Sequence, residues 1–151
     1  MRMSIFFCIL QSVYINLSFR SNNVPVPAKL VLQIQKYHRG SIFCLAWNSR
    51  GDLLASGSND KSVKLIHFDA HHQTVGSECE FTHHDATVRD LCFLGDSDVV
   101  VSAGQGDCRI YLTDCASQRV IRSLSGHTDH VSTEIAEYFI ILRLIQHVCL
   151  F

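Results

Sequence analysis

The chain contains little proline and little charge. Only 2 of its 151 residues are proline and 18% are charged, while 47% are hydrophobic. This composition excludes an intrinsically disordered chain, which would carry more charge and fewer apolar residues. No apolar run approaches the ~20 residues of a transmembrane helix, so an integral membrane protein is not expected.

The cysteines lack the spacing of a disulfide framework. There are 7 of them, an odd number, and no C-x-x-C pair occurs. Cys44 and Cys92 fall at the same place in a repeated apolar pattern, where a free thiol behaves as a small apolar side chain. This usage favours a reducing compartment.

Motifs that carry chemistry are also missing. The chain has no Walker motif and no G-x-S-x-G, and the glycines around Gln105 do not continue as a dinucleotide fingerprint. The pairs His71-His72 and His83-His84 bracket Cys79 without the ligand spacing of a zinc site. We therefore expect no catalytic residue, no metal ligand and no cofactor, and an enzyme is disfavoured.

Acidic residues are missing from the first third of the chain. Six cationic residues precede the first carboxylate, Asp52: Arg2, Arg20, Lys29, Lys36, Arg39 and Arg50. They are either scattered over solvated surface or form a basic face for an acidic partner. The net charge of −1 gives no reason to expect nucleic acid.

Residues 1–28 resemble nothing downstream, and we assign them to a head and linker. The apolar run IFFCIL is too short for a secretory signal and has no clear cleavage site. Alternation from Val13 to Phe19 predicts a strand. The prolines of Val24-Pro25-Val26-Pro27 force extended backbone, so residues 21–28 are interpreted as a linker.

One pattern occurs twice and begins a third time. The first copy is HRGSIFCLAWNSRGDLLASGSNDKSVKLIHF, from His38 to Phe68. The second is HDATVRDLCFLGDSDVVVSAGQGDCRIYLTD, from His84 to Asp114, and SGHTDHV starts another copy at His127. Repeats of about this length indicate small sheets stacked side by side.

Turn residues divide each copy into strands, which predicts an all-β fold. Residues 29–37 are predicted to form a strand ahead of the first copy. The first copy predicts four strands separated by turns and by a polar loop over Asp69–Ser77: Ile42–Trp47, Leu53–Ser58, Ser62–Phe68 and Cys79–Thr82. The second predicts another four: Val88–Leu94, Val99–Gly104, Arg109–Leu112 and Gln118–Leu124. Alternation places Leu45 and Trp47, like Leu91 and Phe93, on the core side.

The third copy stops matching after Val131. Large apolar residues are required at positions 134 and 136, where Glu134 and Ala136 stand, and no glycine or proline follows Gly126. Residues 127–151 are therefore interpreted as a broken third repeat with an apolar tail. The tail is either unrelated sequence that follows a truncated repeat array or a helix that docks in a buried position.

The repeated residues resemble the WD40 repeat, with a histidine near the start, then LASGS, then N-D-K-S-V-K-L. The resemblance covers residues 29–131, with repeats over 29–126 and blades at 38–82 and 84–124. It implies a partial β-propeller. This would contain about two four-stranded blades and the start of a third, between a non-propeller N-terminal head and an apolar C-terminal tail.

The resemblance also implies a buried polar network in each blade, structural rather than catalytic. Its members are His38, Ser56 and Asp60 in the first copy and His84, Ser102 and Asp107 in the second. Ile66-His67 and Thr113-Asp114 stand where the family has Trp-Asp. Each network is therefore expected to end at the serine hydroxyl.

As to function, the resemblance implies a non-enzymatic scaffold with protein partners. Loops at the blade tops would bind them: Asn48–Asp52, Asn59–Lys61, Gly95–Asp98 and Gln105–Asp107.

Within the family, the first blades resemble those of a neuronal microtubule-associated protein, which implies a cytoplasmic, cytoskeletal location. The alternative is a secreted or membrane-associated chain that uses its apolar head and tail. Two blades leave bare faces, so self-association or pairing with further blades is expected.

Overall fold

The computed structural model describes residues 2–5, 13–18, 20–21, 24–25, 29–69 and 71–125. All regular structure within these ranges is β-strand, which confirms the all-β prediction. The same residues include no helix that is long and apolar enough to cross a membrane. The start of the third repeat and the tail, 127–151, lie outside the described residues.

Five strands precede the repeats. β1 (Arg2–Ile5), β2 (Val13–Ser18) and β5 (Lys29–Ile34) form an antiparallel sheet in the order β1-β2-β5. β3 (Arg20–Ser21) and β4 (Val24–Pro25) form a two-stranded ladder inside the predicted linker. β5 ends three residues before the predicted boundary at residue 37, because the chain turns at 35–36 with Lys36 at a left-handed φ of 53°.

The first repeat folds as one antiparallel sheet of four strands, here the first sheet. Its order is β6-β7-β8-β9, with β6 (Ile42–Trp47), β7 (Leu53–Ser58), β8 (Val63–Asp69) and β9 (Thr74–Phe81). β6 and β7 have the predicted bounds. Both are apolar runs closed by turn residues, a strong strand signal.

The second repeat forms an equivalent antiparallel sheet, here the second sheet. Its order is β10-β11-β12-β13, with β10 (Thr87–Phe93), β11 (Val99–Gln105), β12 (Arg109–Asp114) and β13 (Arg119–Ser125). All four predicted strands are present, with ends that differ by one or two residues. Two such four-stranded sheets side by side fit a partial propeller.

The polar loop predicted for Asp69–Ser77 is wrong over its second half. β9 begins at Thr74, which pairs with Asp69, and Val75 pairs with Phe68. Most of β9 is exposed because it is the outer strand of its sheet. Backbone pairing with β8 therefore makes the strand, and its side chains do not need the apolar alternation of a half-buried strand.

An apolar layer joins the two sheets. It contains Ala55, Val63, Leu65 and Phe81 from the first sheet and Val88, Leu91 and Val100 from the second. Leu45 and Trp47 pack against a separate cluster on the other face of the first sheet. The repeat register predicts this arrangement, because Leu45 and Leu91 occupy the same face of equivalent strands.

The two sheets lie close together at Gly57. A Cβ atom added there would lie 2.6 Å from Val88 Cγ1 and 2.6 Å from Cys44 Sγ. We expect Gly57→Ala to lower the free energy of unfolding by about 1–3 kcal/mol through overpacking, measured by urea denaturation. Gly76→Ala on exposed β9 is the matched control, with an effect within about 1 kcal/mol. Equal effects of the two substitutions would contradict this interface.

Candidate functional site

His38 is the centre of a buried network in the first sheet. Its side chain is inaccessible to solvent, with Nδ1 3.0 Å from Asp60 Oδ2. On the other side of the ring, Nε2 lies 2.8 Å from Ser56 Oγ. The structure thus brings together the three residues predicted for this blade. Their structural role is a prediction that the experiments below test.

The protonation of this network follows from burial and charge. Burial lowers the pKa of His38, against the opposing effect of Asp60. The pKa of Asp60 lies well below its usual range, since the hydrogen bonds from Ser62 and Arg39 outweigh desolvation, which acts in the opposite direction. We therefore assign a neutral imidazole that donates Nδ1–H to the carboxylate and accepts the Ser56 hydroxyl proton at Nε2.

The second sheet repeats the network with the same three residue types. His84 Nδ1 lies 2.7 Å from Asp107 Oδ2, and Nε2 lies 2.9 Å from Ser102 Oγ. Tyr111 packs edge-on against the imidazole, with ring centroids 4.7 Å apart. Gly104 leaves room for this pair, because a Cβ atom there would collide with both Asp107 and His84. Burial also lowers the pKa of His84.

In the first sheet the network extends on the side of the aspartate, where the Ser62 hydroxyl donates to Asp60 over 2.7 Å. The carbonyl oxygen of Lys64 lies 3.4 Å from Ser56 Oγ, which has no second proton to donate while it is bonded to His38. In the second sheet, the described residues give the Ser102 hydroxyl one hydrogen-bond partner, His84. Ser62 was missed because its place in the second copy is held by Arg109, whose N–H donates to Asp107 as the Ser62 N–H donates to Asp60.

Both networks hold loops at one end of the sheets, here called the rim. In the first sheet the rim comprises residues 35–41 and 59–62, and in the second residues 82–86 and 105–108. The Arg39 N–H donates to Asp60 over 2.8 Å, and the Asn59 N–H donates to the Ser41 carbonyl over 3.0 Å. Asp85 N–H donates to Asp107 over 3.3 Å. Each aspartate thereby connects two loop segments.

The four loops predicted to bind partners do not share one end of the sheets. Asn59–Lys61 and Gln105–Asp107 belong to the rim, whereas Asn48–Asp52 and Gly95–Asp98 lie at the opposite end, here called the base. The reason is geometric, since consecutive turns of an antiparallel sheet lie at opposite ends of its strands. The placement of all four at the blade tops was wrong.

At the base, an ion pair connects the two sheets. Arg50 donates to both carboxylate oxygens of Asp98, over 2.9 and 2.7 Å, and to Asp52 over 3.1 Å. Asn48, which is buried, donates to Asp52 over 2.6 Å and accepts the N–H groups of its own turn. This contact was missed because no pattern within one repeat shows a pairing between two repeats.

The cations that precede Asp52 do not form one face. Arg50 belongs to the base and is engaged by Asp98 and Asp52, while Lys36 and Arg39 are exposed on the rim. The side chains of Arg2, Arg20 and Lys29 lie outside the described residues. The described cations therefore form two groups, with Arg50 at the base and Lys36 and Arg39 on the rim.

Among the described residues no group of three or more histidine, cysteine or acidic side chains is placed to hold a metal ion. Burial raises the pKa of Cys115 to about 12 and also raises that of Cys79, so neither thiol is activated. His72 contacts Asp69 over 2.6 Å on an exposed loop, and this contact raises the pKa of His72.

Comparison with known proteins agrees with this architecture. A family model described as "WD domain, G-beta repeat" matches residues 30–67 and 69–114. "WD and tetratricopeptide repeats protein 1" of Mus musculus is 33% identical over 95 residues, which are 62% of this chain and 14% of that protein. "THO complex subunit 3" of Arabidopsis thaliana is 28% identical over 97 residues, or 63% of this chain and 31% of that protein.

Solved structures show the same fold. "Structure of U3-55K" has a TM-score of 0.63 and 22% identity, and covers 80% of this chain and 35% of that one. "Crystal structure of RRP9 WD40 repeats" also gives 0.63 and 22%, with 34% of that chain covered. The chain therefore spans about a third or less of the proteins that it matches here.

The buried carboxylate of Asp60 provides a direct test of the network. We expect Asp60→Ala to cost about 1–3 kcal/mol of unfolding free energy, because it leaves His38 and the Arg39 N–H without their acceptor. The measurement is urea denaturation. Asp96→Ala on an exposed base turn is the matched control, expected within about 0.5 kcal/mol. Equal losses of unfolding free energy in the Asp60 and Asp96 variants would contradict a structural role of the network.

The histidine pairs also predict how stability depends on pH. Because the folded pKa values of His38 and His84 are lowered from 6.5, the unfolded chain binds more protons below that pH. The free energy of unfolding should therefore fall as pH decreases from about 6.5. A further loss should begin below about pH 4, where Asp60 of the unfolded chain binds a proton and Asp60 of the folded chain does not. Urea denaturation at a series of pH values measures this.

The control for the pH series is His72→Gln. His72 is exposed and its pKa is raised, so it acts in the opposite direction and its removal should leave the acid loss in place. Stability that is constant between about pH 7 and pH 5 would contradict neutral buried histidines.

Proposed function

Because the chain belongs to the WD40-repeat family, we propose that its two sheets form a rigid, non-enzymatic platform that binds a protein partner at the rim. WD40 domains generally mediate protein–protein interactions, and proteins of the family are generally non-enzymatic scaffolds. The observation that carries the proposal is the attachment of the rim loops to buried groups. Arg39 and Asp85 both donate backbone N–H groups to the aspartate of a network.

Rigidity of these loops favours binding. A loop that is already held in place loses little conformational entropy when a partner binds, so more of the interaction energy appears as affinity. The base is a weaker candidate, because Arg50, Asp52 and Asp98 are engaged with one another there. Breaking this ion pair would offset part of any contact with a partner.

A microtubule-associated role in the cytoplasm is the finer form of the proposal. It rests on the resemblance of KYHRGSIFCLAWNSRGDLLASGSNDKSVK and SAGQGDCRIYLTDC to the first blades of nemitin, a neuronal microtubule-associated WD40 protein. Self-association or pairing with further blades belongs to the same proposal. Its support is that the sheets carry apolar clusters on the faces turned away from their shared layer.

Selection of displayed random peptides against the immobilised chain tests the platform. We expect peptides whose binding is weakened about tenfold by Thr82→Glu at the rim, because a long charged side chain there blocks access. Ser49→Glu at the base is the matched control, since both positions are exposed hydroxyl residues in loops, and it should change affinity by less than about twofold.

The same two variants extend the test to microtubules. Saturable co-sedimentation with polymerised tubulin that Thr82→Glu weakens would support the microtubule role, and its absence would remove that role but leave the platform. Failure to select any peptide, or loss of binding only with Ser49→Glu, would overturn the rim as the binding site.

A further inference from the structure

Three exposed cations lie on the rim of the first sheet. Lys36 and Arg39 belong to the loop before β6, and Lys61 belongs to the turn between β7 and β8. The hydrogen bond from Arg39 N–H to Asp60 joins the two segments, and Lys61 follows Asp60 directly in the chain. Arg39 and Lys61 therefore flank the same carboxylate.

That carboxylate is already occupied by donors from its own sheet. Asp60 Oδ1 accepts from the N–H and hydroxyl of Ser62 over 3.0 and 2.7 Å. Oδ2 accepts from His38 over 3.0 Å and from Arg39 N–H over 2.8 Å. The side chain is only 11% exposed, so the outward charge of this part of the rim is positive.

Lys64 is the next cation along the chain and lies in β8, outside the rim. Its Nζ lies 3.7 Å from Glu80 Oε2 and 5.2 Å from the centroid of the Tyr37 ring. It therefore belongs to the surface of the sheet, and the set of rim cations is limited to Lys36, Arg39 and Lys61.

The second sheet shows that the network does not require these charges. Asp85 takes the place of Arg39, since it makes the same backbone hydrogen bond to the network aspartate. Cys108 takes the place of Lys61, and both have left-handed φ angles, 52° and 73°. Thr82 corresponds to Lys36 in the repeat register. The same framework thus presents positive charge in one sheet and a carboxylate at the matching position of the other.

We propose that Lys36, Arg39 and Lys61 form a binding site for a short acidic segment of a protein partner. The inference rests on the proposed function and names the chemistry of the partner at the rim. Opposite charge on the two surfaces favours association and directs the segment to the first sheet, because the second sheet carries Asp85 and Arg109, whose opposite charges attract each other. A long uniform polyanion such as nucleic acid would extend past the three cations onto this surface of mixed charge, so a short acidic peptide is the better match.

The test measures binding of a short fluorescent oligoglutamate peptide to the full chain by anisotropy. We expect the double variant Arg39→Asp, Lys61→Ser to weaken binding by about tenfold, with affinity for the unaltered chain falling as salt is raised. The control Arg119→Asp, Arg122→Ser makes the same change of net charge on exposed β13 and should alter affinity by less than about twofold.

A second rim variant separates charge from folding. Arg39→Gln with Lys61→Gln keeps the backbone N–H that contacts Asp60 and adds no carboxylate beside it, so it should unfold at the same urea concentration as the unaltered chain. Its binding of oligoglutamate should still be clearly weaker than that of the unaltered chain, because two of the three cations are gone.

Three results would overturn the inference. They are an equal loss in the β13 control, no binding of oligoglutamate by the unaltered chain, and binding of a single-stranded oligonucleotide of equal charge as tightly as the peptide. Selection of neutral peptides that still require the rim would leave the platform in place and remove only the acidic partner. Failure to select peptides of any charge at the rim would remove both.

Discussion

The hydrogen bond between a buried histidine and an aspartate in the turn between the second and third strands of its sheet determines the geometry of each rim. A neutral imidazole suits this position because it donates at one nitrogen and accepts at the other, so it connects a carboxylate to a serine without placing a charge inside the sheet. In both sheets the aspartate also accepts a backbone N–H from the loop that carries the histidine. Two loop segments far apart in sequence are thereby fixed to the same strand.

The sequence predicted the parts of the fold that repeat within one sheet. β6 and β7 combine apolar residues with clear turn signals at both ends, and their bounds were predicted correctly. The six network residues were identified from the resemblance to the WD40 repeat, and each histidine precedes its serine by 18 residues and its aspartate by 22 or 23. These features depend on the spacing of residues along the chain, and a single sequence contains that information.

Features that depend on pairing between elements could not be predicted in the same way. The polar first half of β9 gives no strand signal, since its conformation comes from its ladder with β8. The contact of Arg50 with Asp98 joins two repeats whose loops show no mark of it in the sequence. The placement of loops at the two ends also requires the strand order, which assigns Asn59 and Asn48 to opposite ends of the first sheet.

Stability and recognition thus depend on different atoms of the same repeat. The apolar layer between the sheets and the imidazole–carboxylate pairs use buried side chains, which cannot change without loss of packing or of a hydrogen bond. The rim positions that contact the networks do so through backbone N–H groups, as Arg39 and Asp85 show. Their side chains are therefore free to differ in charge from one sheet to the next. A stack of nearly identical sheets can in this way present a varied surface, because the hydrogen bond that fixes each loop makes no demand on the side chain beside it.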